Sequence, residues 1–562
     1  MLRQALDGHW RVTWKPYGST VDPFLAAHFV PEGWLDAVIP EDIHATLRRA
    51  GLVRGHFMGK DPAEDQWIED ADWIYYKEFF ADKPFYDTKV TLDFDGLDTL
   101  CDLYLNGERI GSTRNMFLGY SFDVTDSLRY ASRNVLIVHI RSAVKSVTGE
   151  SRENLFSSNA YDRLFLRKAQ MNFAWDFCGR YVTAGIWKSV SLQSFDHNRI
   201  SRWYFTTRKI TSEAADIQLD VAITEDMEPL GTYAVRIELL EGETPVFQKT
   251  GDAQEMAYTR FSIPHPRLWQ PMPNGDPYLY QLRITLLRNG NIIEQISRKA
   301  GIRTVRVVQE PQEDGTSFLF EVNGRKLFAR GANWVPLNVL YTDIRAADYQ
   351  RALCYAVHGN INMLRVWGGG IYEYDCFYDL CDQYGILVCQ DFMLACGIYP
   401  QSGAFLDNLA EEADYNILKL RNHACLAAWM GDNENDIAYG WGNRAHDFRS
   451  DKLNRGILLE ACARLDPERF YMPSSPCSPF AEAEGGDTPN AACQGDTHLY
   501  LFSLDPQSEK FYRNVRDIRP RFVSEFGFLS FPDRETYFRF NFFRKQPAML
   551  EPSLPSFPSP EA

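Results

Sequence analysis

The stretch from Cys425 to Asp436, CLAAWMGDNEND, constrains this chain more than any other. An apolar run, Cys425 to Met430, stops at Gly431 and gives way to Asp432, Asn433 and Glu434. Such a run, bounded by Gly and then by acidic and amide groups, predicts a buried strand that delivers polar groups at its C-terminal end. In a parallel β/α barrel that end is where reacting groups sit. Glu434 is therefore the first candidate, set against the alternative of a surface Glu just past a strand. A second run, Arg521 to Phe528, is again aromatic and β-branched and carries one carboxylate, Glu525. Two strands that each bring a Glu to one mouth supply what retaining glycoside hydrolysis needs. One carboxylic acid protonates the leaving oxygen, and one carboxylate about 5–5.5 Å away attacks the anomeric carbon.

The rest of the chain supports a multidomain reading. At 562 residues there is room for three or four domains. Residues 1–195 alternate with period two, as in Lys89 to Phe94 and Val135 to Ile140, which predicts an all-β jelly-roll-like sandwich. Leu103 to Glu108 reads as a hairpin with an Asn-Gly turn. Residues 196–305, with Ile217 to Val221 and Tyr233 to Ile237, are the size of one immunoglobulin-like β-sandwich. Prolines from Pro264 to Pro277 mark a loop before its last strands.

From residue 306 to 545 strands alternate with helices. Helices are expected over Ala346–His358, Asp375–Tyr384, Ala410–Leu420 and Lys452–Leu465. Strands are expected within Leu327–Trp334, Asn362–Trp367, Leu387–Phe392, the Cys425 run, Phe470–Pro473, Ala492–Asp496 and Arg521–Phe526. That makes seven units of an eight-unit (β/α) TIM barrel. After Glu525, residues 534–545 offer one helix but no strand stands out, so the barrel is expected to lack its last strand and helix. Residues 546–562 are Pro- and Ser-rich and are expected to be a disordered tail.

Charge and cysteine usage narrow the partners. A net charge of −16 and the lack of a basic patch argue against nucleic acid or an anionic membrane. No apolar run is long enough to span a membrane, and the N-terminus lacks the pattern of a secretory signal. The 11 Cys are scattered through apolar segments without a CxxC pair, which predicts buried reduced thiols, a cytoplasmic location and no metal or other cofactor. Aromatic residues, 13 Trp, 28 Tyr and 37 Phe, suit sandwich cores and also suit stacking on sugar rings.

Over nearly all of residues 1–533 the chain resembles the β-mannosidases of glycoside hydrolase family 2. The motifs are NMLRVWGGGIYEYDCFYDLCDQYGILVCQDFMLACGIYP (362–400), AAWMGDNE (427–434), RFVSEFGFLSFPD (521–533) and KAQMNFAWDFCGRYVTAGIW (168–187). Where related β-galactosidases and β-glucuronidases carry a His-containing stretch after the second barrel strand, this chain has Arg365 to Gly370, which favours a β-mannosidase. The resemblance implies Glu434 as general acid/base and Glu525 as nucleophile. It also implies a substrate-binding set: Asn433 at the 2-hydroxyl, Arg365 beside the nucleophile, Trp367 in the wall of the mannose subsite, and Trp175 with Asp176 reaching in from the first domain. His498, in Gly495-Asp496-Thr497-His498, and Tyr500 join that set, with a satisfied structural His as the alternative for His498. Arg365 is expected to lower the pKa of Glu525, and Glu525 to raise that of Glu434. Two departures stand out. Asp432 replaces an Asn, and either adds charge beside Glu434 or points away. Leu499-Tyr500 stands where the family tends to have Tyr-Trp.

The resemblance thus implies an exo-acting retaining β-mannosidase acting on β-mannosides or manno-oligosaccharides. Relatives continue for a few hundred residues beyond the point where this chain stops. A truncated, inactive carbohydrate-binding relative, or a family 2 enzyme of other β-glycoside specificity, remain alternatives.

Overall fold

The computed structural model describes residues 2–26, 28–54, 62–82, 85, 88–224, 231–442, 447–478, 488–500 and 518–527. The expected helix at 534–545 and the expected tail at 546–562 lie outside the described residues.

The N-terminal part is built from two antiparallel sheets, one of six strands and one of four. Period-two alternation decides which side chains face inward. In Leu100–Leu105, Cys101, Leu103 and Leu105 are buried while the residues between them are not. Trp10, Trp73, Leu136 and Leu192 fill the same core. The predicted hairpin is present: Asn106 and Gly107 both have positive φ, at 55° and 92°, between strands Leu100–Leu105 and Glu108–Thr113. The next part packs a three-stranded against a four-stranded antiparallel sheet. Its strand Ala214–Ile223 buries Ala215, Ile217, Leu219 and Val221 on one face.

Beyond these, the pattern switches. Five parallel strands follow one another in chain order: Gly331–Trp334, Met363–Val366, Leu387–Asp391, Leu426–Met430 and Phe470–Met472. The three central strands are buried at every position, as expected when both faces of a parallel sheet are covered. Helices Ala346–His358 and Asp375–Tyr384 have the predicted bounds. The second ends on Gly385 at φ 69°, a left-handed cap that glycine adopts without a Cβ penalty. Two more strands, Thr497–Leu499 and Val523–Phe526, pair in parallel. Side chains stitch this pair to its neighbours on both sides. Ser475, past the fifth strand, bonds Asp496 at 2.6 Å, and Asn333 in the first strand donates to the Ser524 carbonyl at 3.2 Å.

Three expectations shift. The strand placed at Ala492–Asp496 lies instead at Thr497–Leu499. Gly495 turns at φ 62°, and the Asp496 carboxylate accepts from the Cys477 backbone, so the segment before Thr497 is a turn anchored by a side chain. The helix expected from Ala410 begins at Gly403. The helix expected over Lys452–Leu465 opens as a wider π-helical stretch, Leu453–Leu458, before Leu459–Leu465 continues as α. A short helix not foreseen, Asn435–Trp441, starts immediately after Glu434.

Candidate active site

The strand Leu426–Met430 carries the chain into Gly431, where there is no room for a side chain. A Cβ there would lie 2.0 Å from the Pro473 carbonyl oxygen. Pairing continues past the strand ends, with Asn433 bridging Ala395 on one side and Ser475 on the other. Glu434 then takes the left-handed conformation, at φ 62°, and starts the following helix. The conformation is uncommon for a residue with a Cβ and clusters at functional sites.

The Glu434 carboxylate meets His498 Nδ1 at 2.8 Å through Oε1 and accepts from Cys396 Sγ at 3.2 Å through Oε2. Glu525, in the last described strand, accepts from Arg365 Nη1 at 2.7 Å and from the Tyr500 hydroxyl at 2.5 Å. His498 Nδ1 is 3.8 Å from Glu525 Oε2. An oxygen of each carboxylate and a ring nitrogen of His498 all lie within 4.8 Å of one another. The sequence therefore brings together two carboxylates that are 91 residues apart in the chain (525 − 434).

Arg365 organises the floor of this site. Its buried guanidinium holds Asp391 in two bonds of 3.1 and 2.7 Å, Asn333 at 3.1 Å, Asn433 at 3.0 Å and Glu525 at 2.7 Å. The planar fork suits this task, since it offers five fixed donors. Burial pushes the Glu525 carboxyl up. The charges of His498 and Arg365, with hydrogen bonds from Tyr500 and Arg365, outweigh that and hold it below the usual carboxylate value.

Trp367 and the glycines after it form one wall. A Cβ on Gly369 would lie 1.9 Å from the Trp367 ring, so only glycine lets the backbone pass behind the indole. A hairpin from the N-terminal sandwich closes on the same wall. Met171 donates its N–H to the Gly369 carbonyl at 2.9 Å, and Trp175 packs edge-on against Trp367 with centroids 4.9 Å apart. Phe177 contacts the same indole at 5.6 Å. Asp176 is at the exposed tip of this hairpin. Partial burial, together with the charges of Glu525 and Glu434, raises its carboxyl above the ordinary value.

All the predicted site residues thus fall in one region. Asp432 points away from it. Its carboxyl is fully buried, accepts from the Asn435 backbone at 3.0 Å and from Ser474 at 2.6 Å, and bonds Asn454. Burial and the Asp436 charge push it well above the usual range. Tyr500, one position later than the family's Tyr, still reaches Glu525. The pairing of Thr497–Leu499 with Val523–Phe526 contains an irregularity between Thr497 and His498 that shifts the register. Sequence reasoning missed Asn333, Asp391, Cys396, Ser475 and Asp496. Of these Asp391 carried a signal, as an acid ending an apolar strand in the manner of Glu434, and Asp496 stood in the stretch that singled out His498.

Among the described residues two groups have the donors for a metal ion: Glu434 with His498 and Glu525, and Asp382 with His423 and Cys425. At the first, the Arg365 cation already neutralises Glu525 and would repel a second cation. At the second, Asp382 is engaged by the His423 ring and the Cys425 backbone, each at 2.7 Å.

The Glycosyl hydrolase 2 galactose-binding domain-like model matches residues 10–188, and the Glycosyl hydrolases family 2 model matches residues 198–303. The chain is 31% identical over 525 residues to Beta-mannosidase B of Aspergillus terreus, covering 90% of this chain and 61% of that protein. It is 33% identical over 531 residues to Beta-mannosidase B of Thermothelomyces thermophilus, covering 88% and 59%. The chain therefore spans about three-fifths of the length of these curated relatives. The crystal structure of the Beta-D-Mannosidase from Dictyoglomus thermophilum superposes with a TM-score of 0.84 at 33% identity, covering 96% of this chain and 64% of that one. A Bacteroides uniformis beta-glucuronidase shares the fold at 16% identity, with a TM-score of 0.65, covering 94% of this chain and 59% of that one. Among the described residues no helix is long and apolar enough to cross a membrane.

Proposed function

Because the chain belongs to glycoside hydrolase family 2, we propose that it is built to hydrolyse terminal β-D-mannosides by a retaining, exo-acting mechanism. The observation that carries this reading is the placement of one Glu434 and one Glu525 oxygen within 4.8 Å of each other. Two carboxyl groups this close suit a double displacement, whereas inversion needs a wider gap to admit water. The parallel strands and intervening helices are read as a TIM barrel, with both carboxylates at the C-terminal ends of its strands.

In the first step Glu525 attacks the anomeric carbon as a carboxylate. The bond to the aglycone breaks with its electron pair on oxygen, and Glu434 donates a proton there. In the second step Glu434, now ionised, takes a proton from water, and that water displaces Glu525 from the sugar. Arg365 favours the ionised nucleophile before attack. Asn433, pinned by Arg365, presents its amide to the 2-hydroxyl. Trp367 and Trp175 form an aromatic wall, and Asp176 stands at the outer rim. A rim supplied by another domain restricts the pocket to one terminal sugar, which supports exo-action. The eleven cysteines are free thiols, and a reducing, cytoplasmic setting belongs to the same proposal.

The test is hydrolysis of p-nitrophenyl β-D-mannopyranoside by the full 562-residue chain, beside Glu434→Ala, Glu525→Ala and the matching β-glucoside and β-galactoside. Turnover of the mannoside, lost in Glu525→Ala, with β-mannose as the first product by proton NMR, is the expected result. Preference for another glycoside would move the specificity. No turnover by a folded chain that still binds the sugar would favour the inactive carbohydrate-binding relative.

A further inference from the structure

His498 touches more than a sugar subsite requires. Its Nδ1 faces Glu434 Oε1 at 2.8 Å, while its Nε2 faces the Ser475 hydroxyl at 3.1 Å. Ser475 in turn reaches Asp496 Oδ2 at 2.6 Å. Asp496 also accepts from the Ser524 hydroxyl, and from the Cys477 backbone at 2.6 Å. Ser475, Asp496 and His498 are all buried, so water does not compete for these bonds.

The direction of each bond follows from donor counting. A carboxylate offers only acceptors, and a serine has one hydrogen. Of its two acceptors the Asp496 carboxylate, at 2.6 Å, is much nearer than the Ser524 oxygen, at 3.3 Å, so the hydrogen goes to Asp496, the Ser475 oxygen is left to accept, and the atom facing it, His498 Nε2, carries a proton. The other nitrogen, Nδ1, then faces Glu434 across 2.8 Å with one proton between them. That proton sits either on Glu434, ready for a leaving group, or on His498.

We propose, resting on the reading of Glu434 as acid/base, that Asp496, Ser475 and His498 form a positioning relay that stores the catalytic proton on the line between His498 Nδ1 and Glu434. Losing that proton would leave an Nδ1 lone pair against an ionised carboxylate, which is unfavourable. The relay therefore holds that proton in place for the leaving group. After the first step, the same lone pair makes ionised Glu434 a stronger acceptor for the proton of water.

The charged groups around the pair act consistently. Glu525 lies 3.8 Å from Nδ1 and favours a proton there, while Arg365 offsets it through its own contact with Glu525. The Tyr500 hydroxyl is spent on Glu525. Cys396, whose thiol burial keeps neutral, donates to the other Glu434 oxygen. Buried Arg163 holds the Cys396 carbonyl at 2.9 Å from behind, and Asp176 adds negative charge at the rim.

The experiment compares wild type with Ser475→Ala and Ser475→Thr. Each is assayed across pH on 2,4-dinitrophenyl and on methyl β-D-mannoside, whose leaving groups need little and much protonation. In Ser475→Ala the methyl mannoside should lose about tenfold more activity than the dinitrophenyl one. Ser475→Thr, which keeps the hydroxyl, should restore it. Ring-15N histidine NMR of the wild type, with the His498 signal assigned by its loss in His498→Gln, should find Nε2 protonated. Equal losses on the two substrates, or an unprotonated Nε2, would overturn the relay. The NMR result does not depend on turnover, so an inactive wild type would defeat the enzymatic reading without deciding this one.

Discussion

Arg365 Nη1 lies 2.7 Å from Glu525 Oε2, while Nη2 of the same guanidinium lies 2.7 Å from Asp391 and 3.0 Å from Asn433. One planar cation thus fixes Glu525 against the backbone stretch that carries Glu434. The identity of the cation matters, because a lysine ammonium has no fork with which to span these acceptors.

Arg365→Lys tests this. It keeps a charge near buried Asp391 and avoids leaving an unpaired carboxylate, so the fold should survive. Misplacement of Glu525 should lower kcat/KM for an aryl β-mannoside by about 10²-fold. The charge and hydrogen bond of Arg365 hold the Glu525 pKa below its ordinary value. Weakening them raises it, so the acid limb of kcat/KM should move to higher pH. An acid limb that stays in place would show that Arg365 does not set the ionisation of Glu525.

Tyr500→Phe removes the hydroxyl that donates to Glu525 at 2.5 Å. A hydrogen bond to a charged group contributes about 1.5–3 kcal/mol, and Tyr500 is 37% exposed, so the lower end applies. The expected loss is about tenfold in kcat/KM. The acid limb should again shift upward, by less than in Arg365→Lys. Equal kinetics in the variant and the wild type would remove Tyr500 from the site.

Gly369→Ala places a Cβ where the Trp367 indole stands, 1.9 Å away. The ring has to tilt into the subsite, and the bond from Met171 to the Gly369 carbonyl is strained with it. Overpacking of this kind costs about 1–3 kcal/mol. If this wall holds the sugar as proposed, KM for the mannoside should rise more than kcat falls, because the wall carries no proton. Steady-state kinetics separates the two, and an unchanged KM would mean that Trp367 lies outside the sugar site.

How much of this was legible in the sequence depends on what each residue's neighbours encode. Glu434 and Glu525 each follow an apolar run, and strand burial makes such a pattern visible. Helices Ala346–His358 and Asp375–Tyr384 carried their periodicity across their full length. The strand at Thr497–Leu499 was misplaced because it is three residues long and its preceding turn is held by Asp496, a tertiary contact. Cys396 and Ser475 gave no local sign. Their roles come from convergence, since Cys396 reaches Glu434 across 38 residues and Ser475 reaches His498 across 23. Asp432 looked like a neighbour of Glu434 in sequence, but the left-handed turn at Glu434 sends the two carboxyls to opposite sides.

The attachment of the N-terminal sandwich to the parallel strands gives the last prediction. Arg167 and Glu412 are both fully buried and meet in two bonds of 2.8 and 2.7 Å. Glu412 also accepts from Asn115 and Tyr372, each at 2.9 Å, and Arg167 holds the Met393 carbonyl at 2.8 Å. Met393 lies three residues before Cys396, so this pair supports the segment that touches Glu434. Removing one partner of such a pair strands the other charge, at a cost of about 3–5 kcal/mol. Glu412→Gln should therefore lower the urea midpoint of the first unfolding transition, followed by tryptophan fluorescence. Replacing both partners by methionine should cost less than the single change, because no charge is then left buried. A double variant as unstable as Glu412→Gln would mean that the pair is needed for its geometry, through Asn115, Tyr372 and Met393, more than for its balance of charge.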